Sequence, residues 1–178
     1  MRITISGPPG SGKTTACNKL SDALGLKAIV FGKMFRELAA EKGLSLSELG
    51  ALAEEDPSID RNIDSEILEI ARKNSDIILE SRLSAHMLSR NSIPSFKIYL
   101  SASPEVRALR VGIRECESTA SAKKETLERQ ASEAKRYKMY YNIDINDMSV
   151  YDLIVNTDNL DPDGVLKAIL KGIEGHRC

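Results

Sequence analysis

Residues 2–15 read RITISGPPGSGKTT. A short β-like run, Arg2–Ser6, leads directly into Gly7-Pro8-Pro9-Gly10-Ser11-Gly12-Lys13-Thr14 and then into a helical pattern. Those eight residues fit G-x-x-x-x-G-K-[ST], and the order strand, glycine-rich turn, helix is the context that this pattern requires. The glycines let the backbone curl so that its N–H groups point at phosphate oxygens. The N-terminus of the following helix adds about half a positive charge. Lys13 is expected to reach β- and γ-phosphates, and Thr14 to offer its hydroxyl directly to Mg²⁺. Gly7, Pro8, Pro9, Gly10, Ser11, Gly12, Lys13, Thr14 and Thr15 are therefore the expected nucleoside triphosphate-binding residues.

Outward from this segment, β-like runs alternate with helical patterns, which predicts an α/β fold with a five-stranded parallel sheet flanked by helices. The strand candidates are Arg2–Ser6, Lys27–Val30, Asp76–Leu79, Lys97–Leu100 and Asp152–Val155, each rich in Ile, Leu or Val. A first helix is expected from Gly12 to Leu24, ending at Gly25. A second is expected over Lys33–Lys42, and Ser45 with Glu48 forms a capping box for a third. Asp56-Pro57 precedes a fourth, whose apolar face is Ile59, Ile63, Ile67 and Ile70. Another opens at Ser103-Pro104, a long charged helix spans Lys123 to Tyr141, and Pro162 stands near the start of the last. Residues 1–178 are expected to form one domain. Two helical regions are inserted into the simple alternation, residues 33–74 and residues 104–142.

The chain has 178 residues, with 25 Lys+Arg against 26 Asp+Glu. That balance argues against coating a nucleic acid by bulk charge, and the absence of Trp leaves little for a base-stacking platform. No apolar run approaches the ~20 residues that span a bilayer, and the N-terminus has no apolar leader. No nucleic-acid or membrane partner, a cytoplasmic location and a monomer are the expectations. Cys17, Cys116 and Cys178 are odd in number and scattered, so they are expected as unpaired thiols rather than a disulfide framework or a zinc site. His86 and His176 are far apart and are expected to be structural or solvated.

The motif alone does not say what the triphosphate is used for. A GTPase would show D-x-x-G followed by N-K-x-D; Asp161-x-x-Gly164 comes at the wrong end of the chain and nothing completes it. The arginines are more informative. Arg36 and Arg82 stand just past the second and third strands, where open α/β sheets bind ligands. Arg107, Arg110 and Arg114 share one helix face, and Arg129, Glu133 and Arg136 share another. Five arginines on one hairpin predict a positive clamp, because a guanidinium binds phosphate oxygens bidentately and keeps its charge.

At this point the chain resembles the nucleoside monophosphate kinases, and most closely the archaeal-type cytidylate kinases. The resemblance rests on GPPGSGKTT at 7–15, GKMFRELAAEKGLSL at 32–46, AEEDPSID at 53–60, ILESRL at 78–83, EVRALRVGIRE at 105–115 and RYKMYYNIDINDMSVYDLIVNT at 136–157. It implies an NMP-binding helical insertion and a short helical lid. It also implies that Arg36 and Arg82 grip the acceptor's α-phosphate, and that Arg110 and Arg114 close over the transferring phosphoryl group. The Arg129–Arg136 run is similar to one in which the arginines contact phosphates, Arg129 at the reacting group and Arg136 on the substrate, while the acid, here Glu133, reads ribose hydroxyls. The family usually has Gly where Ser81 stands, and its Cβ narrows the approach to the acceptor.

The implied reaction is phosphoryl transfer from ATP to CMP, and to dCMP, with Mg²⁺. The attacking phosphate oxygen is already ionised at neutral pH, so no general base is needed and catalysis is positioning plus charge neutralisation. Lys13, Arg110, Arg114 and Arg129 are the expected catalytic residues. Glu80 is expected either to hold Mg²⁺ through water or to pair with Arg82. A kinase for AMP, UMP or a non-nucleotide such as shikimate remains open on the residues alone, as does a non-catalytic nucleotide switch.

Overall fold

The computed structural model describes residues 1–176, so Cys178 lies outside the described residues. Five strands form one sheet: β1 (Arg2–Ser6), β2 (Lys27–Val30), β3 (Ile77–Glu80), β4 (Phe96–Ser101) and β5 (Leu153–Asn156). The sheet order is β2-β3-β1-β4-β5 and every pairing is parallel. Parallel strands need helical crossovers, and the helices cover both faces. On one face Ile3, Ile5, Ile78 and Ile98 pack with Leu20 and Ile169. On the other, Ile77 and Leu79 pack with Ile67, Ala71 and Leu88. Neighbouring residues of β3 thus feed opposite cores, as the two-residue strand period requires.

The helices are α1 (Lys13–Leu24), α2 (Phe31–Glu41), α3 (Leu46–Glu55), α4 (Pro57–Lys73), α5 (Ser84–Arg90), α6 (Pro104–Glu115), α7 (Thr119–Tyr141) and α8 (Pro162–His176), with a short 3₁₀ turn at Met148–Val150. Several ends follow from local chemistry. Gly25 closes α1 in the left-handed region. Ser45 and Glu48 form both bonds of the expected capping box. Asp56 caps α4 by accepting from the Ser58 N–H, with Pro57 in the first turn.

Three boundaries differ from expectation. Helix α2 starts at Phe31, directly after β2, because Val30 passes from extended to helical backbone with no intervening turn. Helix α7 starts at Thr119 rather than near Lys123, because Ser118 caps it by accepting from the Ser121 N–H. Helix α5 was not expected. It has seven residues and no side-chain cap, and its formation follows from burial of Ala85 and Leu88.

Strand β1 lies between β3 and β4, with β2 beyond β3. The chain therefore reverses its direction across the sheet at the C-terminal edge of β1, where ligands of open α/β sheets bind. Helices α2–α4 lie between β2 and β3, and α6–α7 between β4 and β5. The two groups meet along α7. The Tyr140 hydroxyl reaches the carbonyls of Ala53 (2.7 Å) and Glu54 (2.8 Å), and Arg136 bonds Asp60 of α4 at 2.7 Å.

Candidate active site

The loop between β1 and α1 is shaped by two glycines that a side chain would not replace. Gly7 has φ 149°, and a Cβ there would run into the Leu100 carbonyl. Gly10 has φ 82°, and a Cβ there would lie 2.7 Å from the Arg107 carbonyl oxygen. The base of α6 is thereby pressed against the loop. The Ser11 N–H donates to the Pro8 carbonyl at 3.2 Å, and Lys13 Nζ reaches the same oxygen at 3.0 Å. Burial pushes the Lys13 ammonium down to about 8; Glu80 and Glu133 oppose that, while Arg82 and Arg129 add to it. An incoming phosphate would supply the missing counter-charge.

Thr14 donates its hydroxyl to Glu80 Oε2 at 2.9 Å. These two hard oxygen donors suit Mg²⁺, which keeps several waters and takes substrate phosphate oxygens. Among the described residues there is no group of three or more His, Cys, Asp or Glu side chains that could hold a metal ion alone. Of the two expected roles for Glu80, pairing with Arg82 is not what the structure shows: Arg82 bonds Glu133 and the Gly7 carbonyl instead.

A single cleft runs from the loop to α4. Its lining includes Lys13, Thr14, Arg36, Glu80, Ser81, Arg82, Arg114, Arg129, Glu133 and Arg136. Most of the predicted site residues are thus brought together from β3, α1, α2, α6 and α7. Arg36 and Arg129 make no hydrogen bond or ion pair with any described residue. Burial lowers the Arg129 guanidinium, with Glu133 and Glu125 opposing. Arg114 is exposed and pairs only with Glu115 beside it on α6. Burial would raise the Glu133 carboxyl, but Arg82, Arg129 and Lys13 hold it below its usual value. Ser81 turns its hydroxyl back to accept from the Leu83 N–H at 3.1 Å.

Two arginines of the expected clamp, Arg107 and Arg110, are placed elsewhere, and a third, Arg136, lines the cleft with its donors already taken. Arg107 is buried beneath the loop, with Nη1 3.3 Å from the Pro9 carbonyl. Arg110 donates to the hydroxyl (2.9 Å) and carbonyl (2.7 Å) of Thr157, and lines a second recess with Gly12, Thr15 and Leu160 on the outer side of the loop. Arg136 is only 2% exposed, and its donors go to Asp60, Ser132 and the Gly50 carbonyl. Burial would lower its guanidinium, but Asp60 foremost, with Tyr137 and Glu133, raises it above its usual value. The helix spacings grouped these side chains by face. They did not reveal that α6 is wedged between loop and β5, or that α7 is pinned to α4.

The cleft also holds residues that the sequence reading passed over. Asp60 and Asp64 are 4% and 6% exposed on the face of α4 that carries Ile63 and Ile67. Asp64 Oδ2 accepts from the Tyr141 hydroxyl at 2.9 Å. Burial foremost, and the charge of Asp60, push the Asp64 carboxyl up to about 7. Two carboxylates four residues apart within an apolar stripe were the available signal. His86 is buried and edge-on to Tyr151, with ring centroids 5.7 Å apart. No helix among the described residues is long and apolar enough to cross a membrane.

The profile of the cytidylate kinase-like family matches residues 2–159. The chain belongs to that family. It is 49% identical to the cytidylate kinase of Methanothrix thermoacetophila over 173 residues, covering 97% of this chain and 98% of the relative. With the cytidylate kinase of Haloarcula marismortui it shares 46% identity, over 99% of this chain and 91% of the relative. Among solved structures, an uncharacterised protein from Eubacterium ventriosum superposes with a TM-score of 0.73 at 18% identity, covering 98% of each chain. The Acinetobacter baumannii shikimate kinase in complex with shikimate gives 0.63 at 15% identity, over 99% of this chain and 94% of that one. These two likenesses speak for the fold alone. The cytidylate kinase-like assignment agrees with the single cleft described above, in which a triphosphate-type loop faces unpaired arginines.

Proposed function

We propose that this member of the cytidylate kinase-like family transfers the γ-phosphoryl group of ATP to CMP, giving ADP and CDP. The observation that carries this reading is the opposition of the glycine-rich loop to Arg36 and Arg129, two cations of one cleft whose guanidinium groups make no direct hydrogen bond or ion pair with any described residue. Arg129 is half-buried, where a guanidinium without a direct partner is costly, and Arg36 stands exposed with its donors free; the phosphates of two anionic nucleotides would engage both. The curated relatives named cytidylate kinase, aligned over nearly the whole chain, support CMP as the acceptor.

The residues divide the work by position. Backbone N–H groups of the loop and Lys13 hold the donor phosphates. Arg36 and Arg82 orient the acceptor phosphate, Arg82 exchanging part of its present contact with Glu133 for phosphate oxygen. Glu133, kept ionised by its three cationic neighbours, is then available to a ribose hydroxyl, and dCMP is accepted with the remaining contacts. Arg114 and Arg129 neutralise charge that spreads over the transferring oxygens, the term that dominates phosphoryl transfer. Arg110, tied to Thr157, belongs to the donor-nucleoside side of the loop, and Arg136 serves as the pin that sets the acceptor wall. Thr14 directly, and Glu80 through water, would hold Mg²⁺, which when bound neutralises phosphate charge. No side chain needs to remove a proton, which fits the burial of His86 away from the cleft.

The test is one assay. The protein is incubated with ATP–Mg²⁺ and each of CMP, dCMP, UMP, AMP and GMP, and ADP is measured. Turnover with CMP, with or without dCMP, is expected, together with only slow ADP formation when no acceptor is present. Turnover with a different acceptor and not CMP, or equally rapid hydrolysis without any acceptor, would overturn the reading.

A further inference from the structure

The cleft has a chemically distinct far end. In-line transfer requires the acceptor phosphate to face the loop, so the acceptor's base must point away from Lys13 toward α4. There the walls are Phe35, Ile63 and Tyr137, apolar surfaces suited to a flat ring, and the polar groups are Asp60 and Asp64. Asp60 is occupied, because both its oxygens accept from Arg136. Asp64 is not. Its Oδ2 accepts from Tyr141, whereas Oδ1 accepts no bond from any described residue and is not among the atoms sealed from solvent. An oxygen open to the cleft and free of protein donors is available to a ligand that brings a donor.

We propose that Asp64 selects the acceptor base, its free Oδ1 accepting a hydrogen bond from the 4-amino group of cytosine. This deepens, and rests on, the reading of CMP as acceptor. An ionised carboxylate is an acceptor only. Cytosine presents an amino donor at position 4, whereas uracil presents a carbonyl oxygen there. UMP would therefore set two acceptors against each other, and an unmet polar contact of that kind discriminates far more strongly than a missing methylene. The neutral edge of cytosine also leaves the Asp60–Arg136 pair undisturbed.

The experiment compares kcat/KM for CMP, UMP and the monophosphate of a pyrimidin-2-one ribonucleoside, which lacks only the 4-amino group, at pH 8. For the unaltered protein the deamino analogue should be about 10–100-fold poorer than CMP, the range for a hydrogen bond to a charged group. In Asp64→Asn and Asp64→Ala that preference should collapse to near unity with KM for ATP unchanged. Asp64→Asn should also gain on UMP, because its amide can donate to O4. Tyr141→Phe, which removes the neighbouring hydrogen bond and keeps the carboxylate, should retain the preference, as a merely structural role for Asp64 would not require. Should the Asp64 variants fail to fold, the analogue and Tyr141→Phe still decide. Equal use of CMP and the deamino analogue by the unaltered protein overturns the assignment of Asp64 alone. Absence of CMP turnover overturns the acceptor reading itself, and the assignment with it.

Discussion

The two ends of the cleft, the donor and acceptor ends of the proposed function, are built in opposite ways. The donor end is one uninterrupted segment, Gly7–Thr15, whose chemistry is carried mainly by backbone N–H groups and one lysine. The acceptor end is assembled from α2, α4, β3 and α7, and its chemistry is carried by side chains. Arg136 and Asp60 are 76 positions apart in sequence, and Tyr141 and Asp64 are 77 apart. A backbone cradle tolerates change at side chains but not at Gly7 or Gly10. A side-chain wall depends on the pins that hold its helices together, and can be altered without touching the cradle.

The strongest way to break this contrast is Arg136→Ala. It would leave Asp60 buried beside Asp64 without its cation, and removing one partner of a buried pair costs ~3–5 kcal/mol. Chemical unfolding should show a loss of that size, and saturation with CMP should weaken before saturation with ATP. Equal stability would mean that the acceptor wall is held by something other than this pair. Lys13→Met should act at the other end, lowering kcat by ~10²–10³-fold, the effect of removing one preorganised donor from a developing charge, with little change in unfolding. A parallel loss of stability would place Lys13 in the framework rather than in the chemistry.

Asp64 sharpens the same contrast through pH. Its carboxyl is raised from the ordinary 3.8 to about 7 in the folded chain. The native state therefore holds a proton that the unfolded state has released between those values. Stability from the neutral form is present at low pH and is lost as pH rises toward and through 7. Asp64→Asn should unfold at a higher temperature than the parent at pH 8, with the difference shrinking toward pH 4. A gap that stayed constant with pH would show that Asp64 does not titrate in this window. The smallest effect expected is that of Ser81→Gly. It removes the hydroxyl that accepts from the Leu83 N–H and frees the backbone, costing ~0.5–1 kcal/mol, while KM for CMP stays as it was.

What was legible in the sequence follows the same division. The loop, the five strands and the capped starts of α3 and α4 are local: each is specified by residues within a few positions of one another, and each was found in the structure with at most small shifts. Helix α5 was not legible, because seven residues without a cap are helical only through packing. The arginines were legible as a set but not individually. The spacing of Arg107, Arg110 and Arg114 put them on one face, yet that face passes under the loop, along Thr157 and into the cleft in turn. Periodicity reports which side chains travel together, not what each of them meets.

The most direct test of the division into donor and acceptor ends is steady-state kinetics of Arg36→Ala, with ATP and CMP varied independently. Arg36 is exposed on α2, lines the cleft and is bonded to no described residue, so its removal should not perturb the fold. KM for CMP should rise well above that for ATP. A larger rise for ATP than for CMP would contradict the placement of the acceptor phosphate at Arg36, and with it the division of the cleft.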